Sequence, residues 1–368
     1  MGEFVKLKNI ATITMGQSPK SETINMEFNG IPLLQGNSDI KNNKISTKKY
    51  TTALKLKTCK KNDILFTVRA GVGDIYIASQ TACIGRGFCS INVNNHLENS
   101  NKYIFYYLQK YKPQWKQISQ GTTFDSINSQ HINNLLIPIK IIKEQEKISD
   151  YFSNLDTVIN NKQRQLELMG KYKEDLLDKI FNQKIIFKDE NGCDYPKWKT
   201  AKVKEIFNIT RGNVISKILL DLTNNKNNFP VYSSQTKKEG IMGYYDKFLF
   251  QDSIIWTTDG ANAGTTRYVD GKFYCSNVCG VLLRNTETPN TLFAELINTK
   301  TKRHITASVI PKFMNHAMAG LEITYPTSIE EQFKISKYIS NLNLLINNLK
   351  LNIKNMQKLK LDMLEKMF

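Results

Sequence analysis

Gln35-Gly-Asn37-Ser-Asp39, Arg69-Ala-Gly71 and Gln120-Gly-Thr122-Thr123-Phe124 place amide, guanidinium and hydroxyl groups in short, glycine-bearing stretches. Further along the chain Ser233-Ser234-Gln235-Thr-Lys237-Lys238, Asp259-Gly-Ala-Asn262-Ala-Gly-Thr265 and Ser308 to Lys312 do the same. Asn, Gln and Arg carry paired hydrogen-bonding groups that match the edges of DNA bases, whereas Ser, Thr and Lys suit phosphate oxygens. Lys41 and Lys44, with Lys48 and Lys49, flank the first group; Lys55, Lys57, Lys60 and Lys61 follow, and Lys300, Lys302 and Arg303 flank the second. The candidate DNA contacts are therefore Gln35, Asn37, Lys41, Lys44, Arg69, Gln120, Thr122 and Thr123, then Ser234, Gln235, Lys237, Asn262, Thr265 and Lys312.

Chemistry that makes or breaks bonds has no such foothold. The cysteines (Cys59, Cys83, Cys89, Cys193, Cys275, Cys279) form no C-x-x-C pair, and His96, His131, His304 and His316 are scattered, so no metal site is expected. They read as free, reduced core cysteines of a cytoplasmic protein. A Gly-x-x-x-x-Gly-Lys-Ser/Thr loop, a strand-Gly-x-Gly-helix unit, an Asn/Asp-Pro-Pro-Tyr string and a Gly-x-Ser-x-Gly elbow are all missing, and no cofactor is expected. The chain reads as a binder. A net charge of +18 favours a polyanionic partner, and the surplus is spread over both halves rather than held in a basic tail. Hydrophobic residues at 40% are enough to build sizeable cores, which excludes global disorder. No apolar run reaches membrane-spanning length, and the first residues lack the layout of a signal peptide.

The elements that must position these loops occur twice. Lys6-Leu-Lys-Asn-Ile-Ala-Thr-Ile-Thr-Met-Gly16 matches Lys202-Val-Lys-Glu-Ile-Phe-Asn-Ile-Thr-Arg-Gly212 without a gap. Ile31-Pro-Leu33 resembles Phe229-Pro-Val231, and Ile64-Leu-Phe-Thr67 resembles Ile254-Ile-Trp-Thr257, each of the latter followed by glycines. Glu144-Gln-Glu-Lys-Ile-Ser-Asp-Tyr-Phe-Ser-Asn-Leu155 matches Glu331-Gln-Phe-Lys-Ile-Ser-Lys-Tyr-Ile-Ser-Asn-Leu342, and the match runs on to Phe181 and Phe368. Two Lys/Asn-rich helices do not converge on such a string in register, so the chain is an internal duplication.

Each terminal segment of the duplication has apolar residues on steps of four and three. In the first the seam runs through Ile148, Phe152, Leu155 and Ile159; in the second, through Ile335, Ile339, Leu342 and Ile346. Lys173 and Lys360 interrupt the two stripes at equivalent places. This spacing predicts two helices, each about 57 Å long at 1.5 Å per residue, packed as an antiparallel coiled coil. The expected organisation is a globular segment over 1–143, a long helix over 144–181, a linker over 182–197, a second globular segment over 198–330 and a second helix over 331–368. The globular segments read as mixed α/β: strands over Asp63–Val68, Ile254–Thr258 and Gly280–Leu283, and helices over Tyr103–Tyr111 and Leu292–Thr299.

The chain resembles the specificity subunit of type I restriction-modification systems over nearly its whole length. Ile137-Pro138 before Glu144-Gln145-x-Lys147-Ile148, and Tyr325-Pro326 before Glu331-Gln332, resemble that family's Pro-then-Glu-Gln helix openings. Tyr195-Pro196-x-Trp198 resembles its usual approach to a recognition domain, which the first half lacks, and Asn343 stands where the first copy has Asp156. The resemblance implies a non-catalytic subunit with two tandem target-recognition domains on double-stranded DNA, each reading half of a split site. The helices would act as a ruler for an unread spacer. It implies as partners two methyltransferase subunits, docked near Asn160, Asn161, Asn347 and Asn348, and through them the restriction subunits. The competing reading is a coiled-coil protein-assembly adaptor without sequence-specific DNA binding.

Overall fold

The computed structural model describes residues 3–69, 71–119, 126–222, 228–235, 240–260, 262–284, 290–305 and 312–368. The chain divides into two compact units: residues 1–163 with 351–368, and residues 164–350. The long helices Ile142–Phe181 and Ile329–Met367 each contribute to both units, starting two residues earlier than their sequence pattern suggested.

In the first unit, strand Glu3–Lys6 pairs antiparallel with Leu136–Ile139, so the beginning and end of the globular segment close on each other. A four-stranded sheet has the order Ile75–Ile77, Ile64–Thr67, Phe88–Val93, Ala11–Met15. Next to it, a five-stranded sheet carries Ile31–Leu34 parallel to Ala82–Ile84. The predicted strand is thus Ile64–Thr67, all four residues buried, and the predicted helix is Asn101–Lys110. Ser100 caps that helix with its side chain on the Tyr103 amide, which satisfies one of the exposed first-turn donors.

The second unit repeats the core of this plan. Lys199–Lys202 pairs with Glu322–Tyr325 as the closing strands. Leu7 N–H donates to Leu135 O at 2.8 Å, and Val203 N–H to Leu321 O at 2.9 Å. Leu33 lies opposite Cys83, as Val231 lies opposite Tyr274. The difference is in continuity. Thr266–Cys275 is one ten-residue strand that joins the strands other than the closing pair into a single six-stranded sheet, whereas its counterparts in the first unit are the separate strands Ile75–Ile77 and Ala82–Ile84.

The long helices are covered in both units. In the first, Ile148, Phe152 and Leu364 are buried in the core with Tyr103 and Tyr107, and Phe152 stacks on Phe368 with ring centroids 6.1 Å apart. In the second, Leu176, Leu177 and Ile180 bury against Ile335, Ile339, Leu342 and Ile346. The start of one helix thus meets the end of the other in each unit, which makes the pair antiparallel. Each such aliphatic side chain contributes roughly 1.5–3 kcal/mol through burial. Ile159 is buried as well, and Leu155 is half-buried.

The Glu-Gln openings have a structural reason. The side chain of Gln145 is fully buried; its Nε2 donates to Glu98 O (3.0 Å) and Lys140 O (2.8 Å), and its Oε1 accepts from Ser100 N–H (2.9 Å). One amide thereby ties the long helix to the loop that starts the short one. Gln332 likewise donates to Pro326 O at 2.7 Å. In the second unit the Pro-x-Trp approach adds a clasp: Trp198 Nε1 donates to Glu331 Oε1 (3.0 Å) and Tyr195 Oη to Glu330 Oε1 (2.7 Å). Glu331 is buried by it, whereas Glu144, whose unit has no such tryptophan, is exposed.

Five cysteines are buried and free, and burial raises their thiol pKa values, those of Cys59, Cys83 and Cys279 to about 11. Cys193 is the departure from the expected core cysteines: it is exposed. It lies in the turn held by the amides of Asn191 and Cys193 on Asp189 Oδ1.

The matched glycines test the duplicated frame. A Cβ on Gly212 would sit 2.2 Å from Cys275 O and 2.4 Å from Ser276 O, both immovable backbone atoms. Gly212→Ala should therefore cost on the order of 3 kcal/mol in denaturant unfolding. Gly170→Ala, mid-helix with nothing within 4 Å of the new carbon, should instead stabilise by about 0.5–1 kcal/mol. Equal effects would contradict the packing. A second measurement concerns Glu331. Burial pushes its carboxyl above the ordinary 4.5, and the Trp198 hydrogen bond offsets only part of the rise. The folded chain then holds that proton more tightly than the unfolded chain, so stability present below the ordinary carboxylate range is lost as pH rises through the raised value. Glu331→Gln keeps an acceptor for Trp198 and removes the titration. The parent's thermal midpoint should fall relative to the variant between pH 4 and neutrality, whereas parallel pH profiles would refute the burial.

Candidate nucleic-acid interface

In each unit the chain leaves one strand, turns through three residues and enters the next, and the surrounding backbone bonds fix that turn. In the first unit the turn is Gly85-Arg86-Gly87. Gln17 N–H donates to Ile84 O (2.9 Å), Gly16 N–H to Phe88 O (2.9 Å), Gly85 N–H to Leu34 O (2.7 Å) and Val68 N–H to Gly87 O (2.9 Å). Glycine is required at the close approaches: a Cβ on Gly16 would meet Gly85 O at 2.1 Å, and one on Gly87 would meet Gln35 O at 2.2 Å. The turn opens on a cavity of about 260 Å³ lined by Ser18, Gln35, Gly36, Thr67, Arg69, Arg86 and Gly87. Arg69 and Arg86 are exposed. Arg86 Nε donates to Ser18 Oγ at 3.4 Å, and Lys49 Nζ donates to Gln35 Oε1 at 2.6 Å. Two guanidinium groups, an amide and hydroxyls around a shallow concavity can hold base edges or phosphate oxygens.

The second unit has the same turn as Ser276-Asn277-Val278. Asn213 N–H donates to Cys275 O (3.1 Å), Gly212 N–H to Cys279 O (3.0 Å) and Thr258 N–H to Val278 O (3.1 Å). By these bonds and the strand registers, Asp259 takes the place of Arg69, Asn277 of Arg86, Ser233 of Gln35 and Val214 of Ser18. The frame is repeated and its exposed side chains are exchanged.

The sequence-derived contacts fall as follows. Gln35 and Arg69 share the cavity just described. Asn37 is half-buried, and its Nδ2 donates to Asp74 Oδ2 at 2.7 Å beside Gly71. Asp74 also holds Lys112 at 2.5 Å. Lys41 and Lys44 are exposed on a small hairpin whose tip, Asn42-Asn43, takes positive φ of 50° and 57°. Gln120, Thr122, Thr123 and Lys237 lie outside the described residues. Ser234 is half-buried, and exposed Gln235 donates through Nε2 to Ile241 O at 2.6 Å, which braces its own loop. Asn262 and Thr265 share one turn, closed by Thr265 N–H on Asn262 O at 3.1 Å. Lys312 is bridged to Asp259 through the backbone, which brings it to that turn's base. Arg86, Ser18 and Asn277 are not among the sequence-derived contacts, and Lys49 is expected only as part of the flanking basic cluster. The Gly-Arg-Gly triplet between two apolar runs was the available signal for the first.

The profile of the type I restriction modification DNA specificity domain matches residues 2–168 and again 195–356. The chain belongs to this family. A Methanocaldococcus jannaschii protein described as the specificity subunit of a type I restriction enzyme is 35% identical over 185 residues, which is 50% of this chain and 43% of that protein. The chain thus spans less than half of that relative's length. A Mycoplasma pneumoniae type I specificity subunit is 28% identical over 240 residues, covering 64% of this chain and 85% of the relative. Among solved structures, the S subunit of a type I restriction-modification system from M. genitalium has the same fold, with a TM-score of 0.70 at 18% identity over 100% of this chain and 96% of that one. A chain from a study of type I complex assembly and conformational transition matches with a TM-score of 0.54 at 15% identity, over 100% of this chain and 97% of that one. Among the described residues no helix is long and apolar enough to cross a membrane.

Proposed function

We propose that this chain is the non-catalytic sequence-specificity subunit of a type I restriction-modification complex, each unit reading one half of a bipartite DNA site. The observation that carries the reading is the repeated turn: one backbone frame presenting Arg69, Arg86 and Gln35 in the first unit and Asp259, Asn277 and Ser233 in the second. A reader of two different half-sites needs that combination, whereas an adaptor for two like proteins would keep the exposed groups alike. The charge of +18 supplies the phosphate attraction that holds such a reader on DNA. Methyltransferase subunits dock on the long helices, where Val158, Asn160 and Asn161, and Leu344, Leu345, Asn347 and Asn348, are exposed. Through them the chain recruits restriction subunits.

Sequencing methylated bases with and without the gene tests this directly. The expected outcome is one asymmetric split motif lost on deletion; an unchanged methylome would refute the proposal. Arg86→Ala should relax the motif at one position in one half only, weakening binding there by about 1–3 kcal/mol, the usual worth of a bidentate base contact. Uniform weakening with a shallower salt dependence would reassign Arg86 to phosphate, and no effect would remove the cavity from the interface.

A further inference from the structure

The two lysines that interrupt the helical seams are neutralised in opposite ways. In the first unit Lys360 Nζ, on the second long helix, lies 2.6 Å from Asp156 Oδ1 on the first long helix. Tyr106, on the short helix of the globular segment, donates its hydroxyl to Asp156 Oδ2 at 3.1 Å, and its ring lies 5.3 Å beneath the ammonium. Burial and the neighbouring Asp156 raise the Tyr106 phenol pKa, so it stays a donor. In the second unit Lys173 Nζ, on the first long helix, lies 2.5 Å from Glu295 Oε1 on the globular segment's short helix. Asn343 Nδ2, on the second long helix, approaches the same Oε1 at 3.4 Å.

These are the same three positions. Lys173 and Lys360 correspond in the repeat, as do Asp156 and Asn343. Tyr106 and Glu295 are each the sixth residue of their helices, Asn101–Lys110 and Asn290–Ile305. The carboxylate has changed sides. In the first unit the long helix supplies the acid and the globular segment a neutral tyrosine; in the second the globular segment supplies the acid and the long helix a neutral amide. The lysines are mostly shielded, with side-chain exposures of 20% and 15%, so a missing or doubled acid cannot simply be absorbed by water. Neighbouring charges do not supply a substitute in the first unit: Lys112 and Asp74 border the same cavity and pair with each other. In the second unit Glu174 and Asp178 also border the cavity, but Glu295 receives the ammonium.

We propose that this exchanged Lys–acid–neutral triad is a matching device that restricts each globular segment to its own stretch of long helix. If the two globular segments trade places while the helices stay, one unit holds Glu295, Asp156 and a single lysine, and the other holds Tyr106, Asn343 and a lysine whose triad carboxylate is missing.

The test is a pair of helix substitutions, Asp156→Asn with Asn343→Asp, made in the full-length chain and in a full-length chimera with residues 1–143 and 198–330 exchanged, with the thermal midpoint as readout. The double substitution should lower the midpoint of the parent and raise that of the chimera. The same sign in both backgrounds would overturn the proposal. Should the chimera not fold, the parent alone decides. Tyr106→Glu and Asp156→Asn should each lower the midpoint, and together, which recreates the second unit's arrangement in the first, they should restore most of the loss. Additive losses would overturn the proposal equally.

Discussion

Two helices of 40 and 39 residues each carry an apolar stripe that water does not tolerate, and everything else depends on how those stripes are covered. Ile335 and Ile339 are fully buried against Leu176, Leu177 and Ile180; Phe152 is fully buried beside Phe368 and Leu364. In both units the start of one helix meets the end of the other, and a short helix of the globular segment closes the third side. Each globular frame therefore rests on side chains from both halves of the repeat. The second half of the chain completes the first unit's core, and the first half completes the second unit's.

That dependence explains where duplication has held the residues constant and where it has let them drift. Gln145 and Gln332 stay because a buried amide must join the helix start to the backbone before it. Gly16 and Gly212 stay because carbonyl oxygens fill the space a side chain would need. By contrast, the turns at Arg86 and Asn277 expose those two side chains and are framed by backbone bonds, so the displayed residues are free to differ. Conservation of the frame and divergence of the surface follow from one cause: main-chain hydrogen bonds do not depend on which side chain the turn displays.

Much of this was legible in advance for a physical reason. Matches such as Ile64–Thr67 with Ile254–Thr257 are core strands, and burial restricts which residues can occupy them. The gapless alignment therefore coincides with the strand registers. The candidate contacts were less legible. Polar loops look alike whether they face a ligand or brace themselves. Gln235 and Asn37 spend amide hydrogens on Ile241 O and Asp74, whereas Gln35 and Arg69 share a cavity with Arg86. Nothing local in Gly85-Arg86-Gly87 says that a turn 68 residues from Ser18 will meet it.

By itself the sequence determined the duplication, the two seams and the absence of familiar catalytic motifs, because periodicity and repetition are one-dimensional properties. It also showed Asn343 in the place of Asp156, but without a consequence attached. Only the tertiary structure decided that Glu295 answers that change from a different element, 48 residues away along the chain. Charge balance in a part-buried cluster is settled among side chains brought together by packing, and no linear pattern records which of them will meet.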